Sequence, residues 1–538
     1  DDRMFGYDFR ATAQYNDVFG EDTHIVNAYG GMEINSVERH NTWFRGWGMQ
    51  YELGETPSWA YEVFKKSLEQ GEDYYTLSNT HERSAAFFAN GTYSYKGRYT
   101  INGTVRYEGT NRLGKSRAAR WLPTWNVSGS WNVHEEPFFK KLQPAMSHLA
   151  LRLSYSLTAD RGPSYVTNST AVIMAQNPWR PFADVQETAL YIYQLANDDL
   201  TYEKKHEFNF GLDMGFLNNR INLTMDAYAR RNFDLIGLAL TTGVGGELQK
   251  YGNIASMKSS GVEMSLSTTN IKNEDFSWTT SLIYSYTHNE VTELRSATRM
   301  LDLVSGVGYA MEGYPVGAIF SIPFVGLNEE GLPQYINESG EVTVSDINFQ
   351  QNDPEQLKYL KYEGSADPKH VGSFGNIFRY KNFTLNVFLT YSFGNVVRLD
   401  PIFSNTYDDL VATPKEFNNR WTVPGDEKHT TVPVIPSKMQ NQLDANLRYA
   451  YNAYNYSTER IAKGDFIRMK EISLSYDFPK SLIQNLGVNT LSLKLQGTNL
   501  FLLYADKKLN GQDPEFFNTG GVALPMSKQF TLTLKVGI

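Results

Sequence analysis

The stretch "EFNFGLDMGFLNNRINLTMDAYARR", residues 207–231, decides the fold. Large apolar residues stand at every second position: Phe208, Phe210, Leu212, Met214 and Phe216. Asn209, Gly211, Asp213 and Gly215 fill the gaps between them. After Asn218-Asn219 the alternation resumes, with Ile221, Leu223 and Met225 against Asn222, Thr224 and Asp226. A period of two marks a strand, and an Asn-Asn pair tolerates the positive φ of a tight hairpin. The stretch therefore predicts a β-hairpin with one greasy and one wet face. What the greasy face touches, a protein core or lipid, decides the function.

The same pattern recurs along the chain. Alternation predicts strands near 8–17, 23–36, 82–95, 98–110, 119–134, 148–159, 204–217, 220–233, 254–270, 275–289, 369–380, 382–398, 465–478, 490–504 and 526–538. Many exceed the five or six residues common in globular sheets and reach the 9–11 that a tilted membrane-crossing strand needs. Short connections, such as those around Lys96-Gly97, Asn218-Asn219 and Lys381-Asn382, alternate with long ones near 37–81, 160–203, 290–368 and 399–464. Loops this long are uncommon in compact soluble domains. Short turns on one side and long loops on the other are the pattern of an outer-membrane barrel, with the long loops extracellular. A sandwich or propeller would also alternate, with shorter strands and more frequent turns. The expected fold class is an all-β, transmembrane antiparallel β-barrel. Phe208 and Phe210 would then face hydrocarbon, and Asp213 and Asp226 a watery lumen, because an isolated carboxylate in lipid is expensive.

Composition narrows the function. The 538-residue chain carries 50 basic and 59 acidic side chains, for a net charge of −9, and has no basic cluster interleaved with aromatics; nucleic acid is not an expected partner. It has no cysteine, which excludes disulfides and thiolate metal sites. No apolar run of about 18 residues predicts a transmembrane helix. The opening "DDRMFGYDFR" has no signal peptide, as expected of a mature form or an internal fragment.

Candidate chemistry is sparse. His134-Glu135-Glu136 is followed by Pro137, so a His-Glu-x-x-His helix is not formed; a strand end entering a turn is the better reading. The glycine-rich 241–250 lacks the Lys-Ser/Thr ending of a phosphate loop. Asn102-Gly103-Thr104 and Asn222-Leu223-Thr224 match glycosylation sequons but lie inside strands, as polar residues at period two. Acidic residues at Asp506, Asp513 and Glu515, or Asp408 and Asp409, have no companion motif for hydrolysis, so no enzyme, cofactor or metal is expected. Trp421, Tyr449, Tyr451, Tyr454 and Tyr456 share one long loop. They are the candidate contacts for cargo or for a partner protein, with packing of the loop on its own scaffold as the alternative.

Several blocks carry a resemblance. "RWLPTWNVSGSWNVHEEPFF" (120–139), "LRLSYSLTADRG" (151–162), "NDDLTYEKKHEFNFGLDMGFLNNRINLTMDAYARRNFDLI" (197–236), "NIASMKSSGVEMSLS" (253–267), "EGYPVGAIFSIPFVGLNEEGLPQY" (312–335), "NNRWTVPGDE" (418–427), "GDFIRMKEISLSYDFPKSLI" (464–483) and "LQGTNLFLLYADKKLNGQDPEF" (495–516) follow in order. This ordered series resembles SusC-like TonB-dependent transporters over roughly 120–538. The resemblance implies a plugged outer-membrane barrel of about 22 strands. It further implies coupling to TonB, a SusD-like surface lipoprotein as lid, transporter–lid pairs that can dimerise, and oligosaccharide or sometimes oligopeptide cargo. No plug, TonB box or carboxypeptidase-regulatory-like domain is found here, and the chain ends in Ile538 where the family commonly ends in an aromatic residue. Residues 1–538 thus read as the C-terminal part of such a barrel. About seven strands and the plug are expected elsewhere, because an odd set of about fifteen cannot close antiparallel. The runner-up is a secreted β-rich glycan-binding or adhesin module; an ungated porin is a third reading.

Overall fold

The computed structural model describes residues 1–57, 61–143, 145–163, 166, 171–176, 188–240, 249–296, 298–403, 414–484, 487–516 and 527–537. Fifteen strands form one sheet in chain order. They are β1 (Asp2–Phe19), β2 (His24–Phe44), β3 (Tyr75–Tyr95), β4 (Tyr99–Thr110), β5 (Trp121–Asn132), β6 (Met146–Asp160), β7 (Glu203–Phe216) and β8 (Ile221–Leu240). Then follow β9 (Gln249–Lys272), β10 (Phe276–Leu294), β11 (His370–Tyr380), β12 (Phe383–Phe393), β13 (Phe466–Asp477), β14 (Thr490–Ala505) and β15 (Gln529–Gly537). All fifteen sequence-predicted strands are present. Among the described residues no helix is long and apolar enough to cross a membrane, which says nothing of crossing by strands.

The chain divides into two compact units. Unit 1 comprises Asp1–Trp131, Leu153–Phe208 and Asn232–Ala255; unit 2 comprises Asn132–Arg152, Asn209–Arg231 and Ser256–Ile538. In unit 1 the short turns are 20–23 and 96–98, and the opposite strand ends are joined by 45–74, 111–120, 161–202 and 241–248. In unit 2 the short connections are 133–145, 217–220, 273–275, 381–382 and 478–489, against 295–369, 394–465 and 506–528. The turns obey local sterics. Asn218 and Asn219 have φ of 56° and 61°, as their short polar side chains allow, and Lys96-Gly97 at 54° and 64° make a turn of the primed type that matches strand twist.

Two loop boundaries move. The expected loop 37–81 contracts to 45–74, because β2 and β3 run on past the apolar alternation. Glu38 pairs with His81, Arg39 with Thr80 and His40 with Asn79. Cross-strand polar contacts replace hydrophobic ones there: Glu38 Oε1 lies 3.1 Å from His81 Nε2, and His40 Nδ1 lies 2.8 Å from Asn79 Oδ1. Where both faces are wet the ladder persists without a hydrophobic signal. The expected strand 382–398 instead ends at Phe393. Val396–Arg398 is a separate strand that pairs with Ile461–Lys463.

Register shows how the faces are sorted. Residues directly opposite in a ladder share a face. In unit 2 one row reads Trp278, Phe378, Leu385, Leu474, Leu495, Leu532 across six strands. The neighbouring row, on the other face, reads Asn386, Ser473, Gln496, Thr531. In unit 1 Met32, Phe87, Tyr107 and Pro123 share one face, and Asn16, Asn27, Thr92, Asn102 and Ser128 the other. Asn102 donates to Thr92 Oγ1 at 2.6 Å, so this sequon asparagine belongs to a polar ladder. Leu474, Leu495 and Leu532 remain 46, 56 and 68% exposed.

Aromatics bracket that face. On β5, Trp121 stacks on Tyr107 at 5.1 Å and Trp131 on Tyr99 at 6.2 Å. Ten strand steps of about 3.3 Å separate the two tryptophans, roughly 33 Å along a strand and about 25 Å at a 40° tilt, the height of a lipid-facing band.

Candidate functional site

The two long loops of unit 2 fold into a layer of their own. Its core is Met300, Leu303, Phe320, Ile322, Tyr335, Phe403, Phe417, Tyr451 and Tyr454 with their neighbours. Residues of 295–369 and 394–465 interleave: Tyr335 donates to the Ala450 carbonyl at 2.7 Å, and Phe324 meets Tyr454 edge-on at 5.7 Å. Arg398 staples them, donating to the carbonyls of Ser457 at 2.9 Å and Phe320 at 2.6 Å. Burial strips its guanidinium of water and lowers its pKa to about 10. Burial likewise pushes the Tyr335 and Tyr454 hydroxyls well above the usual phenol range.

This layer takes up several of the aromatic loop residues. Residues Leu447–Asn455 form a helix that buries Leu447, Ala450, Tyr451 and Tyr454, the i, i+3, i+4, i+7 stripe of an amphipathic helix. Tyr451 packs on Phe403 at 4.7 Å, and Tyr454 is 2% exposed. Trp421 is also buried; its indole lies against Gly331, whose φ of +77° and lack of a Cβ admit it, and its Nε1 donates to Glu427 Oε2 at 3.1 Å. Trp421, Tyr451 and Tyr454 therefore hold the loops together and present no ring outward. Tyr449, on the opposite helix face, is exposed with Arg448 over its ring, and Tyr456 is half-buried against Phe349.

Charged residues, by contrast, collect on the polar face. Phe208 and Phe210 are exposed on one side of the opening hairpin. Asp213 and Asp226 lie on the other, both bound to Arg152, at 2.8 and 3.2 Å. Gly211 makes room for that guanidinium: a Cβ there would stand 2.7 Å from Arg152 Cζ. Nearer the C-terminus Glu471 accepts from Asn386 at 3.2 Å and faces Lys494 at 3.6 Å. Asp513 and Glu515, weighed as hydrolytic carboxylates, are both engaged with the buried Arg468, at 2.5 and 3.2 Å, while Asp506 accepts from the backbone N–H groups of Lys463 and Lys508. His134 lies in a 3-10 turn, Val133–Glu135, with its ring 4.1 Å from that of His148. Asp408, Asp409, most of 241–250 and Ile538 lie outside the described residues.

In unit 1 the polar face of β4–β6 and the adjoining loops enclose a cavity of about 500 Å³. Arg106, Glu108, Arg112, Thr124, Arg161 and Tyr202 line it. Glu108 binds both Arg106 and Arg161, and Arg106 reaches on to Glu33 at 2.7 Å. Burial, reinforced by the Glu108 charge, pushes the Tyr202 hydroxyl up to about 12. The sequence reading did not single out these residues. Arg106 and Glu108 were accessible to it, since they continue the even-numbered polar row of Asn102 and Thr104; Arg112 and Arg161 come from loops that carry no periodic signal.

The face-sorted antiparallel sheet, with its exposed leucine row and bracketing aromatics, defines a membrane-spanning β-sheet of the barrel class. The chain belongs to the family described as TonB dependent receptor-like, beta-barrel, which it matches over residues 2–500. Proteins of this family are barrels of the outer membrane and serve transport rather than catalysis. Similar proteins include the TonB-dependent receptor P39 of Formosa agariphila, 26% identical over 583 residues that cover 96% of this chain and 51% of that protein. The TonB-dependent receptor SusC of Bacteroides thetaiotaomicron is 26% identical over 483 residues, 86% of this chain and 44% of its own length. Among solved structures, the RagAB peptide transporter superposes with a TM-score of 0.76 at 22% identity, covering 99% of this chain and 56% of its own. That likeness speaks for the fold. The chain spans about half the length of the curated relatives it matches.

Proposed function

We propose that this chain forms the strand-rich C-terminal part of a SusC-like, TonB-dependent outer-membrane importer of oligosaccharides or oligopeptides. The observation that carries the reading is the leucine row on β12–β15, exposed on one face, backed by the Asn386–Thr531 row on the other. Such a face is stable in hydrocarbon and costly in water. A secreted glycan-binding module would leave those leucines wet. β1 and β15 each have a single sheet neighbour, so further strands are needed to complete the ladder in lipid. The packed layer of 295–369 and 394–465 supplies a stiff rim on which a SusD-like lipoprotein lid can dock, with Tyr449 among its exposed residues. TonB would act through a plug outside this chain. Deleting the gene in its host and following uptake of defined glycan and peptide mixtures tests this. Uptake should fall to the level of a strain lacking TonB; uptake unchanged by the deletion would reject the transport reading.

A further inference from the structure

The cavity of unit 1 holds a cation that its surroundings leave uncompensated. Arg112 is 9% exposed. Its Nη2 donates to the carbonyls of Pro163 at 2.6 Å and Gly162 at 3.5 Å, and its Nε is buried with no hydrogen-bond partner. Among the described residues no carboxylate lies within ion-pair distance of it. Of the other charged groups of the wall, Glu108 takes Arg106 and Arg161, and Asp160 accepts from the Gly162 N–H. A buried guanidinium without a counter-charge is expensive. The cavity is of ligand size, and Leu122 adds an apolar patch beside the polar groups.

We infer that this cavity is a subsite for a carboxylate group of the cargo, received by Arg112. The inference rests on the import reading above and narrows its substrate class. A guanidinium favours a carboxylate as a charge-assisted hydrogen-bond acceptor. Arg106 and Arg161, paired with Glu108 and in the case of Arg106 also with Glu33, line the same space as fixed polar groups. Thr124 offers a hydroxyl for a neighbouring polar group of the cargo. Two sources supply this chemistry: an acidic sugar, or the C-terminal carboxylate of a peptide.

The test uses the full-length transporter purified in detergent, with two matched probe pairs. One pair is hexagalacturonate and its methyl ester; the other is an uncharged-side-chain hexapeptide and its C-terminal amide. Titration calorimetry should show at least one acid binding about tenfold tighter than its neutral partner. Arg112→Gln should abolish that preference. Thr124→Trp, which fills the cavity and keeps Arg112, should abolish it as well, so the inference stays testable if Arg112→Gln fails to assemble. Which pair responds identifies the source. Equal binding of acid and neutral forms, no binding of either acid, or a preference that survives in the variants would overturn the inference. Failure of the import reading has a separate signature, uptake that does not depend on the gene.

Discussion

In the loop layer of unit 2, Tyr335, Tyr454 and Phe403 turn inward and fill an apolar core. In the cavity of unit 1, Arg106, Glu108, Arg112 and Arg161 stand around open space. Both regions lie at long-loop ends of strands, yet they assign opposite work to their side chains. Of the aromatic residues read as candidate contacts for cargo or a partner protein, or as packing of the loop on its own scaffold, Trp421, Tyr451 and Tyr454 are buried within the loops. The charged residues, which look like ordinary solvated positions in the sequence, are the ones left facing a space that a ligand can enter.

The sharpest way to break this contrast is to remove the core of the loop layer. Tyr454→Ala should cost that layer about 3–5 kcal/mol, the usual range for deleting a buried aromatic ring. Limited proteolysis should then cut within 295–369 and 394–465 while the strands stay resistant. Equal resistance of variant and parent would show that the layer is not held by its core. Second, Leu495→Arg places a charge in the exposed leucine row. It should destabilise the membrane-inserted protein by about 2–4 kcal/mol, read as a fall in the urea midpoint in lipid vesicles. The same change at Gln496, on the polar face, should be nearly silent. Third, Arg152→Leu leaves Asp213 and Asp226 facing each other without their cation. Since Arg152 is partly exposed, screening limits the loss to about 1 kcal/mol, measured by the same midpoint.

The smallest expected effect concerns pH. Backbone N–H groups of Thr422 and Val423, with the Thr422 hydroxyl, hold the Asp426 carboxyl below the usual carboxylate range. Its folded pKa lies below its unfolded one, so the turn is supported above the ordinary Asp value and loses that support only as pH falls through the lowered one. Protease cutting near 421–430 should rise below about pH 4 in the parent. Asp426→Asn should remove that pH step; an identical step in the variant would assign it to another group.

Much of the fold was legible because a membrane face enforces strict alternation. Phe208, Phe210, Leu385, Leu495 and Leu532 sit where the period of two puts them, and Asp213, Asn386 and Lys494 lie on the opposite face. Strand ends were less legible: Glu38–Asn41 and Ser78–His81 pair polar residue against polar residue, which leaves no apolar rhythm. The site was legible least. Tyr449, Tyr451, Tyr454 and Tyr456 look alike in an irregular loop, and only a helix of period 3.6 separates the buried 451 and 454 from the exposed 449. Arg161 meets Glu108, and Arg112 lines the same cavity, only because the chain folds back, which no spacing along the sequence encodes.

The central claim is that one face of the sheet meets lipid and the other meets water, and the chain has no cysteine to interfere with a direct test. Single cysteines placed in turn at Leu474, Leu495 and Leu532, and at Ser473, Gln496 and Thr531, can be challenged with a membrane-impermeant, water-soluble thiol reagent in the full-length protein in vesicles. The account predicts that Ser473, Gln496 and Thr531 positions react while the three leucine positions stay protected until the bilayer is dissolved. Equal labelling of both sets before the bilayer is dissolved, or labelling confined to the leucine positions, would contradict it.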